Sequence, residues 1–359
     1  MIVSVSTETV TVDGTGLPAG SVRAVVGQDG ERLLWVADLA AARAAAVLAA
    51  DPLAAVTEIL DGRPADLLVL PVPPDGDLAP VASAVAGLRR AGLAAPWTDV
   101  TAVATDAAAP RGAHRLDRLL APWGVHAVTA GSTLTVRAQA RAAAAGRPGS
   151  SHRHLLTGPS ASGKSAYAEH LLAAEPVVTY LATGCPPGPE DPEWALRVAA
   201  HVERRPAWWT TVESPDVAAA LAAPGSRSPA PPGDPASLGE PAVLWDPAVL
   251  WDPAVLWAPA VLWDSVGSWL TGVLDRSGAW DDSPGWREQV EAQVDDVVRA
   301  WTAAGCRAVA VTEEVGWGVV PATRSGRLFA DMLGGVNQAL SAAADAVTLV
   351  VAGRTLELT

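Results

Sequence analysis

Short apolar runs alternate along this chain with longer alanine-rich stretches whose apolar positions recur at helical spacing. In the first 140 residues, RLLWVADL (32–39), ADLLVLPV (65–72) and DVTAVATD (99–106) are predicted as buried strands. LAAARAAAVLAA (39–50) and LAPVASAVAGLRRAG (78–92) are predicted as helices. AQARAAAAGRPGSS (138–151) reads as a helix end running into a linker, which gives an α/β domain over 1–140, a linker over 141–152 and a second domain over 153–359. In the second domain HLLTG (154–158), VVTYLAT (177–183), RAVAVTEEVG (307–316, strand and loop) and AVTLVVAG (346–353) are strand-like. SAYAEHLLAAE (165–175), PEWALRVAAHVERRP (192–206), SVGSWLTGVLD (265–275), WREQVEAQVDDVVRAWTAAG (286–305) and LFADMLGGVNQALSAAAD (328–345) are helix-like. Such alternation predicts an α/β fold, a mostly parallel sheet with helices on both faces, preceded by a smaller α/β domain.

One stretch breaks the rhythm. PGSRSPAPPGDPASLGEP (224–241) is rich in proline and glycine, and it runs into PAVLWDPAVLWDPAVLWAPAVLWD (241–264). That is one hexapeptide written four times, with Ala258 replacing an aspartate. Proline has no N–H for a ladder and is excluded from central strands, so at most one copy can be an inner strand. The last copy, Ala260 to Asp264, is the expected strand because it leads directly into a helix. The other copies then belong to an insertion at about 224–258. Threading the first copy, Ala242 to Asp246, is the alternative. A tryptophan-presenting binding array is another, at the cost of exposed Trp and Leu side chains that promote aggregation.

Composition narrows the function classes. Half of the residues are hydrophobic and 18% are charged, enough apolar content for a sizeable core. A net charge of −14 without a basic run argues against a nucleic-acid partner or an anionic membrane surface. No apolar run reaches the roughly 18 residues of a membrane helix, and MIVSVSTETVTVDG lacks the basic-then-apolar order of a signal peptide. Cys185 and Cys306 make no disulfide framework and suit a reducing cytoplasm. The chain has a single lysine, Lys164; all other cationic side chains of this class are arginine. A lysine kept in such a background marks a place where a planar guanidinium would not serve.

Lys164 sits in Gly158-Pro159-Ser160-Ala161-Ser162-Gly163-Lys164-Ser165, which fits G-x-x-x-x-G-K-[ST] without departure. A Gly/Ser turn before a helix would match that pattern by chance now and then. Here a strand precedes, a helix follows and the lysine stands at the required place, so nucleotide phosphate binding is expected. The glycines let backbone N–H groups curl toward phosphate oxygens, the lysine reaches the β/γ-phosphates and the Ser165 hydroxyl can ligate Mg2+. A P-loop site also needs an acid at the end of a neighbouring strand. Asp264 has that position, as metal-site acid, as helix N-cap, or as both. His201 lies in a helix among arginines, where a lone histidine is ordinarily structural. VTEEVGWGVVP (311–321) is a strand end with two carboxylates and a glycine-bearing loop, where open α/β sheets carry functional groups.

LLTGPSASGKSAYAEHL, VTYLAT, RVAAHVERRPAWWTTVE, AVLWDSVGSWLTGVL, VAVTEEVGWGVVP and GGVNQALSAAADAVTLVVAG occur in this order. Together they make residues 153–359 resemble the bifunctional adenosylcobinamide kinase / adenosylcobinamide-phosphate guanylyltransferase family of cobalamin biosynthesis. The resemblance implies a RecA-like P-loop fold and two reactions. A nucleoside triphosphate, ATP or GTP, phosphorylates the aminopropanol hydroxyl of adenosylcobinamide. GTP then gives GMP to adenosylcobinamide phosphate through a guanylyl-histidine, releasing pyrophosphate. By the same resemblance His201 is the nucleophile, Lys164 serves catalysis, Arg205, Pro206 and Glu213 contact nucleotide, Mg2+ is bound at Ser165 and Asp264, and the enzyme is a homotrimer. Three departures stand out: Glu313 where the family usually has Asn, Trp317 where it often has Met, and a longer stretch between Glu213 and Asp264.

The first 140 residues faintly resemble the C-terminal half of a metallo-β-lactamase-like domain, as a remnant without its metal motif. His114 and His126 are the only histidines before the linker. An α/β domain of unrelated role is the other reading. Two further functions stay open for the second domain: a nucleotide-binding regulatory module whose chemistry has decayed, and a P-loop small-molecule kinase without guanylyl transfer.

Overall fold

Period-two burial organises both halves of the chain. The computed structural model describes residues 1–5, 10–13, 15–16, 22–39, 52–104, 113–136, 152–184, 192–222 and 257–358. The predicted helix over 39–50 past its first residue, the predicted linker over 141–152 before His152, the Pro-rich segment and the repeat copies before Trp257 lie outside them. The described residues fall into two compact units, one holding 1–136, 171–176 and 257–258, the other 152–170, 177–222 and 259–358.

In the first unit a four-stranded antiparallel sheet has the order β3-β2-β1-β9, from β1 (Ile2–Val5), β2 (Val10–Val12), β3 (Thr15–Gly16) and β9 (Thr133–Thr135). A five-stranded sheet runs β4-β5-β6-β7-β8, from β4 (Val22–Val26), β5 (Arg32–Val36), β6 (Leu67–Pro71), β7 (Asp99–Ala104) and β8 (Val125–Thr129). Within it β5 to β8 are parallel and β4 is antiparallel at the edge. Leu33, Trp35, Leu67, Val69 and Val103 pack with Val3 and Val5 of the smaller sheet. The alternating residues Leu34, Val36, Leu68, Leu70, Val100 and Ala102 pack under helices α1 (Pro52–Ile59), α2 (Ala79–Arg90) and α3 (Ala113–Leu120). Successive side chains of a strand point to opposite faces, so one sheet supplies two cores. The predicted strands 32–39, 65–72 and 99–106 and the helix 78–92 are present. The small antiparallel sheet was not foreseen, since its strands of two to four residues are too short to show a period.

The second unit carries a seven-stranded sheet in the order β12-β11-β13-β14-β10-β15-β16. Its strands are β10 (His152–Thr157), β11 (Val178–Ala182), β12 (Thr210–Glu213), β13 (Ala260–Asp264), β14 (Arg307–Val311), β15 (Ala346–Val351) and β16 (Arg354–Glu357). All pairings are parallel except the β15–β16 hairpin. The helices are α4 (Lys164–Leu172), α5 (Pro192–Arg204), α6 (Val217–Ala222), α7 (Val266–Ser277), α8 (Trp286–Ala303) and α9 (Arg324–Ala342). Leu155, Leu181, Val261, Trp263, Ala308 and Ala310 join Leu270, Val290, Trp301 and Leu340 of α7, α8 and α9 in one core. The alternate residues Leu156, Leu262 and Val309 are buried as well, so both faces of the sheet are covered, as a parallel sheet requires.

The last repeat copy is therefore the inner strand, paired on both sides, with Pro259 just before its first ladder residue. The helix cap corrects the sequence reading. Ser265, not Asp264, is the N-cap of α7, its hydroxyl accepting from the Ser268 N–H at 3.2 Å. Serine one residue past the strand does the capping and leaves the carboxylate before it free for other work. The strands β12 and β16 were missed, β12 because three of its four residues are exposed and β16 because all four of its residues are. Among the described residues no helix is long and apolar enough to cross a membrane.

Trp263 is fully buried between the central strands and α7, with its ring edge-on to Trp269 at 5.6 Å. Trp263→Ala should cost about 3–5 kcal/mol, read as a lower denaturant midpoint in urea unfolding followed by circular dichroism. A loss under about 1 kcal/mol would contradict a sealed core at this strand.

Candidate active site

The site is built at the carboxyl ends of the parallel strands, where each strand hands over to a loop or helix. Gly158 leaves β10 with φ +147°, and a Cβ there would stand 2.2 Å from the Val350 carbonyl oxygen. Only glycine fits such an approach. Gly163 has φ +98° and Ala161 φ +57°, so the loop between them is tightly curled. It is strapped from outside by the β15–β16 turn, where the Gly353 N–H donates to the Ser162 carbonyl at 2.9 Å. Lys164 opens α4 and is buried, its Nζ donating to the carbonyls of Gly158 at 3.0 Å and Pro159 at 2.8 Å. Burial pushes the Lys164 ammonium below the usual lysine range, against the pull of Glu313 and Asp264.

A cavity of about 570 Å³ opens over this loop. The loop and helix start, Ser160 to Ser165, form one wall; Tyr180, His201, Arg204, Arg205, Glu213, Asp264 and Glu313 are among the residues completing it. The structure thus brings the predicted loop, His201, Arg205, Glu213 and Asp264 to one space. Gly158, Pro159 and Pro206 are not on its wall. The first two supply the carbonyls that hold Lys164. Pro206 lies two residues past α5, and its carbonyl accepts from the Trp209 N–H at 3.0 Å; without an N–H of its own it has nothing to donate to a nucleotide there.

Asp264 is the hub. Its Oδ2 accepts from the Tyr180 hydroxyl at 2.7 Å and lies 3.8 Å from His201 Nδ1. Register explains the first contact. Tyr180 pairs with Leu262 and Ala182 with Asp264, so the tyrosine and the carboxylate are diagonal neighbours on one face of the sheet. Burial, followed by the adjacent Asp264 charge, drives the Tyr180 phenol far above its usual range, which keeps it a donor. Its ring carries the Arg205 guanidinium at 3.5 Å from the centroid, a cation–π contact.

His201 and Arg204 are three apart on α5, hence neighbours on the helix surface. Arg204 Nη2 is 3.3 Å from His201 Nδ1, while its Nε and Nη2 reach the Glu169 carboxylate of α4 at 3.0 and 3.2 Å. A guanidinium can only donate, so Nδ1 accepts and the neutral ring carries its proton on Nε2. Burial is the first cause that lowers the His201 pKa; Asp264 and Glu169 oppose it, and Arg204 and Arg205 add to it. The imidazole is accordingly uncharged at neutral pH, the form with a lone pair to offer.

Glu313, two residues past β14, has its carboxylic acid raised above the ordinary range, chiefly by burial, with Lys164 opposing. Glu314 beside it turns to the loop: its N–H donates to the Gly158 carbonyl at 3.1 Å and its Oε2 accepts from the Thr157 hydroxyl at 3.1 Å. Beyond them Trp317, Val319 and Val320 are exposed. The donors suited to a hard cation are oxygens, the Asp264 carboxylate and the Ser165 hydroxyl, a set that fits Mg2+. Sequence reasoning passed over Tyr180, Arg204, Glu169 and Ser265. The helical spacing from His201 would have indicated Arg204; the other three depend on pairings between distant segments.

A family model described as cobinamide kinase / cobinamide phosphate guanyltransferase matches residues 154–230 and 254–358. The interval it skips contains the first two hexapeptide copies. The bifunctional adenosylcobalamin biosynthesis protein CobU of Salmonella typhimurium is 33% identical over 209 residues, 55% of this chain and 95% of that protein. CobU of Escherichia coli is 31% identical over 204 residues, 55% of this chain and 95% of that protein. CobP of Pseudomonas aeruginosa, described in the same words, is 30% identical over 207 residues, 57% of this chain and 96% of that protein. With a phosphate-loop sequence, a helix-borne histidine and a strand-end carboxylate around one cavity, and with this match running through all of them, the chain belongs to the cobinamide kinase / cobinamide phosphate guanyltransferase family.

Proposed function

We propose that this chain phosphorylates the aminopropanol hydroxyl of adenosylcobinamide with ATP or GTP, and then transfers GMP from GTP to the phosphate so formed. The products of the second step are adenosylcobinamide-GDP and pyrophosphate. The observation that carries the reading is the shared cavity: His201 and the Gly158–Ser165 loop line the same 570 Å³ space. One triphosphate site can then present its γ-phosphorus to an alcohol and its α-phosphorus to an imidazole. Relatives named as bifunctional cobalamin-biosynthesis proteins support it.

In the kinase step the substrate oxygen attacks the γ-phosphorus, its proton leaves, and the bond to the departing nucleoside diphosphate breaks. The loop N–H groups and Lys164 offset charge on the non-transferred oxygens. In the transferase step the His201 lone pair attacks the α-phosphorus of GTP; a P–N bond forms and pyrophosphate departs. The phosphate oxygen of adenosylcobinamide phosphate then takes the guanylyl group as the P–N bond breaks. Arg205, held flat on Tyr180, is placed to neutralise phosphate oxygens near His201. Bound at Asp264 and Ser165, Mg2+ supplies positive charge against the triphosphate. With Nδ1 turned from Arg204 toward Asp264, Nδ1 takes up a proton from water and Nε2 gives its own proton to water, which frees Nε2 for attack. Glu213, at the end of β12, is a candidate contact for the nucleoside. The proposed fold type is a RecA-like P-loop domain, the assembly a homotrimer and the compartment the cytoplasm.

Incubation with Mg2+ and GTP labelled at the α-phosphate, followed by denaturation, should leave acid-labile, alkali-stable label on the protein, and His201→Ala should abolish it. A folded, GTP-binding protein that takes no label would instead favour a kinase without guanylyl transfer or a decayed module. Histidine-selective NMR titration provides a second check. The His201 pKa should fall below 6.5, and Asp264→Asn should lower it further, because the carboxylate is a charge that raises it. A value at or above 6.5 in the wild type would contradict a neutral nucleophile set by burial.

A further inference from the structure

Asp264 and Glu313 line the same cavity as Lys164. Asp264 is engaged by the Tyr180 phenol. Glu313 is held by other means. The Thr312 hydroxyl donates to Asn337 Oδ1 at 2.6 Å, and Asn337 Nδ2 donates to the Glu313 carbonyl at 3.0 Å. A side chain of α9 thus clamps the corner on which Glu313 stands. The carboxylate itself lies over Gly267, where a Cβ would come within 2.3 Å of Oε2. Its place exists because residue 267 has no side chain.

Strand order puts this carboxylate beside the phosphate loop. β14 is the immediate neighbour of β10, whereas β12, which ends in Glu213, lies four strands away from β10. When ionised, the Glu313 carboxylate next to the loop opposes a bare triphosphate by Coulomb repulsion, and a divalent cation between them reverses the sign of the interaction. We propose that Glu313 makes nucleotide binding conditional on a divalent cation: it repels the free triphosphate and, together with Asp264, admits the cation-bound form. The inference rests on the cavity being the triphosphate site.

The test is calorimetric titration of GTP into the full-length wild type, Glu313→Gln and Glu313→Ala, each with Mg2+ and each with EDTA. Gln removes the charge and keeps the shape of the side chain; Ala removes both, and circular dichroism shows whether either variant is folded. The wild type should lose at least about tenfold in affinity when Mg2+ is chelated. Both variants should bind GTP in EDTA about tenfold more tightly than the wild type does, so that the gap between the two conditions narrows. Equal affinities of variants and wild type in EDTA, or weaker binding by the variants, would overturn the role of Glu313 while leaving the triphosphate site standing. No binding by any of the three proteins under either condition would overturn the triphosphate site, and this inference with it.

Discussion

A strand in the middle of a parallel sheet must pair on both edges, and that requirement fixes everything around the cavity. Ala260–Asp264 meets it between β11 and β14. The nearest prolines stand outside the ladder, and the five residues within it carry N–H groups throughout. Because the strand is seated there, its last residue reaches the sheet's carboxyl edge, where Asp264 meets Tyr180 and comes near His201. The serine that follows caps α7. The carboxylate, the cap and the helix are consequences of one strand taking one register.

The charged and hydroxyl groups of the cavity stand on an apolar base. Tyr180 projects from the face of β11 opposite to Leu181, which enters the core with Trp263 and α7. That arrangement gives the phenol a fixed origin, and through it fixes both Asp264 below and the Arg205 plane above. Arg204 is held in a similar way by Glu169 of α4, the helix that begins at Lys164. The helix bearing the histidine and the helix bearing the lysine are thereby joined by an ion pair whose carboxylate is buried and whose guanidinium is partly exposed. Geometry between His201 and the loop does not depend on the exposed ends of long side chains alone, since Arg204 is anchored to a carboxylate, Arg205 to an aromatic face and Lys164 to two backbone carbonyls.

Much of this was legible in the sequence, and what was not has a common cause. Strands such as 177–183 and 346–353 announced themselves by short, mostly apolar runs rich in β-branched residues, and the glycine loop by its spacing and its place between strand and helix. The choice of the fourth hexapeptide as inner strand followed from proline chemistry. Asp264 as a cap did not survive, because a one-residue boundary decides whether Asp264 or Ser265 caps the helix, and side-chain type does not separate the two. β12 and β16 lacked an apolar face, and the four-stranded antiparallel sheet of the first unit had strands too short to show alternation. Tyr180, Glu169 and Ser265 became site residues only through pairings across 35 to 84 positions of sequence, which local pattern cannot encode. The sheet order that places Glu313 beside β10 is of the same kind.

The repeat gives the folding chain a choice between near-identical segments. Four copies of Ala-Val-Leu-Trp can compete for one slot, and the misthreaded isomers differ from the native one by shifts of six, twelve or eighteen residues. The apolar core does not discriminate among them, since the same four side chains enter it each time. What discriminates is the residue after each copy. Copies one to three are followed by Pro247, Pro253 and Pro259, the fourth by Ser265. A slipped chain puts a proline where the hydroxyl cap belongs, and the third copy would also bring Ala258 to the place of the hub carboxylate. The native isomer is thus chosen at the junction of strand and helix, and the degeneracy of the tract is resolved by the residue immediately downstream of it.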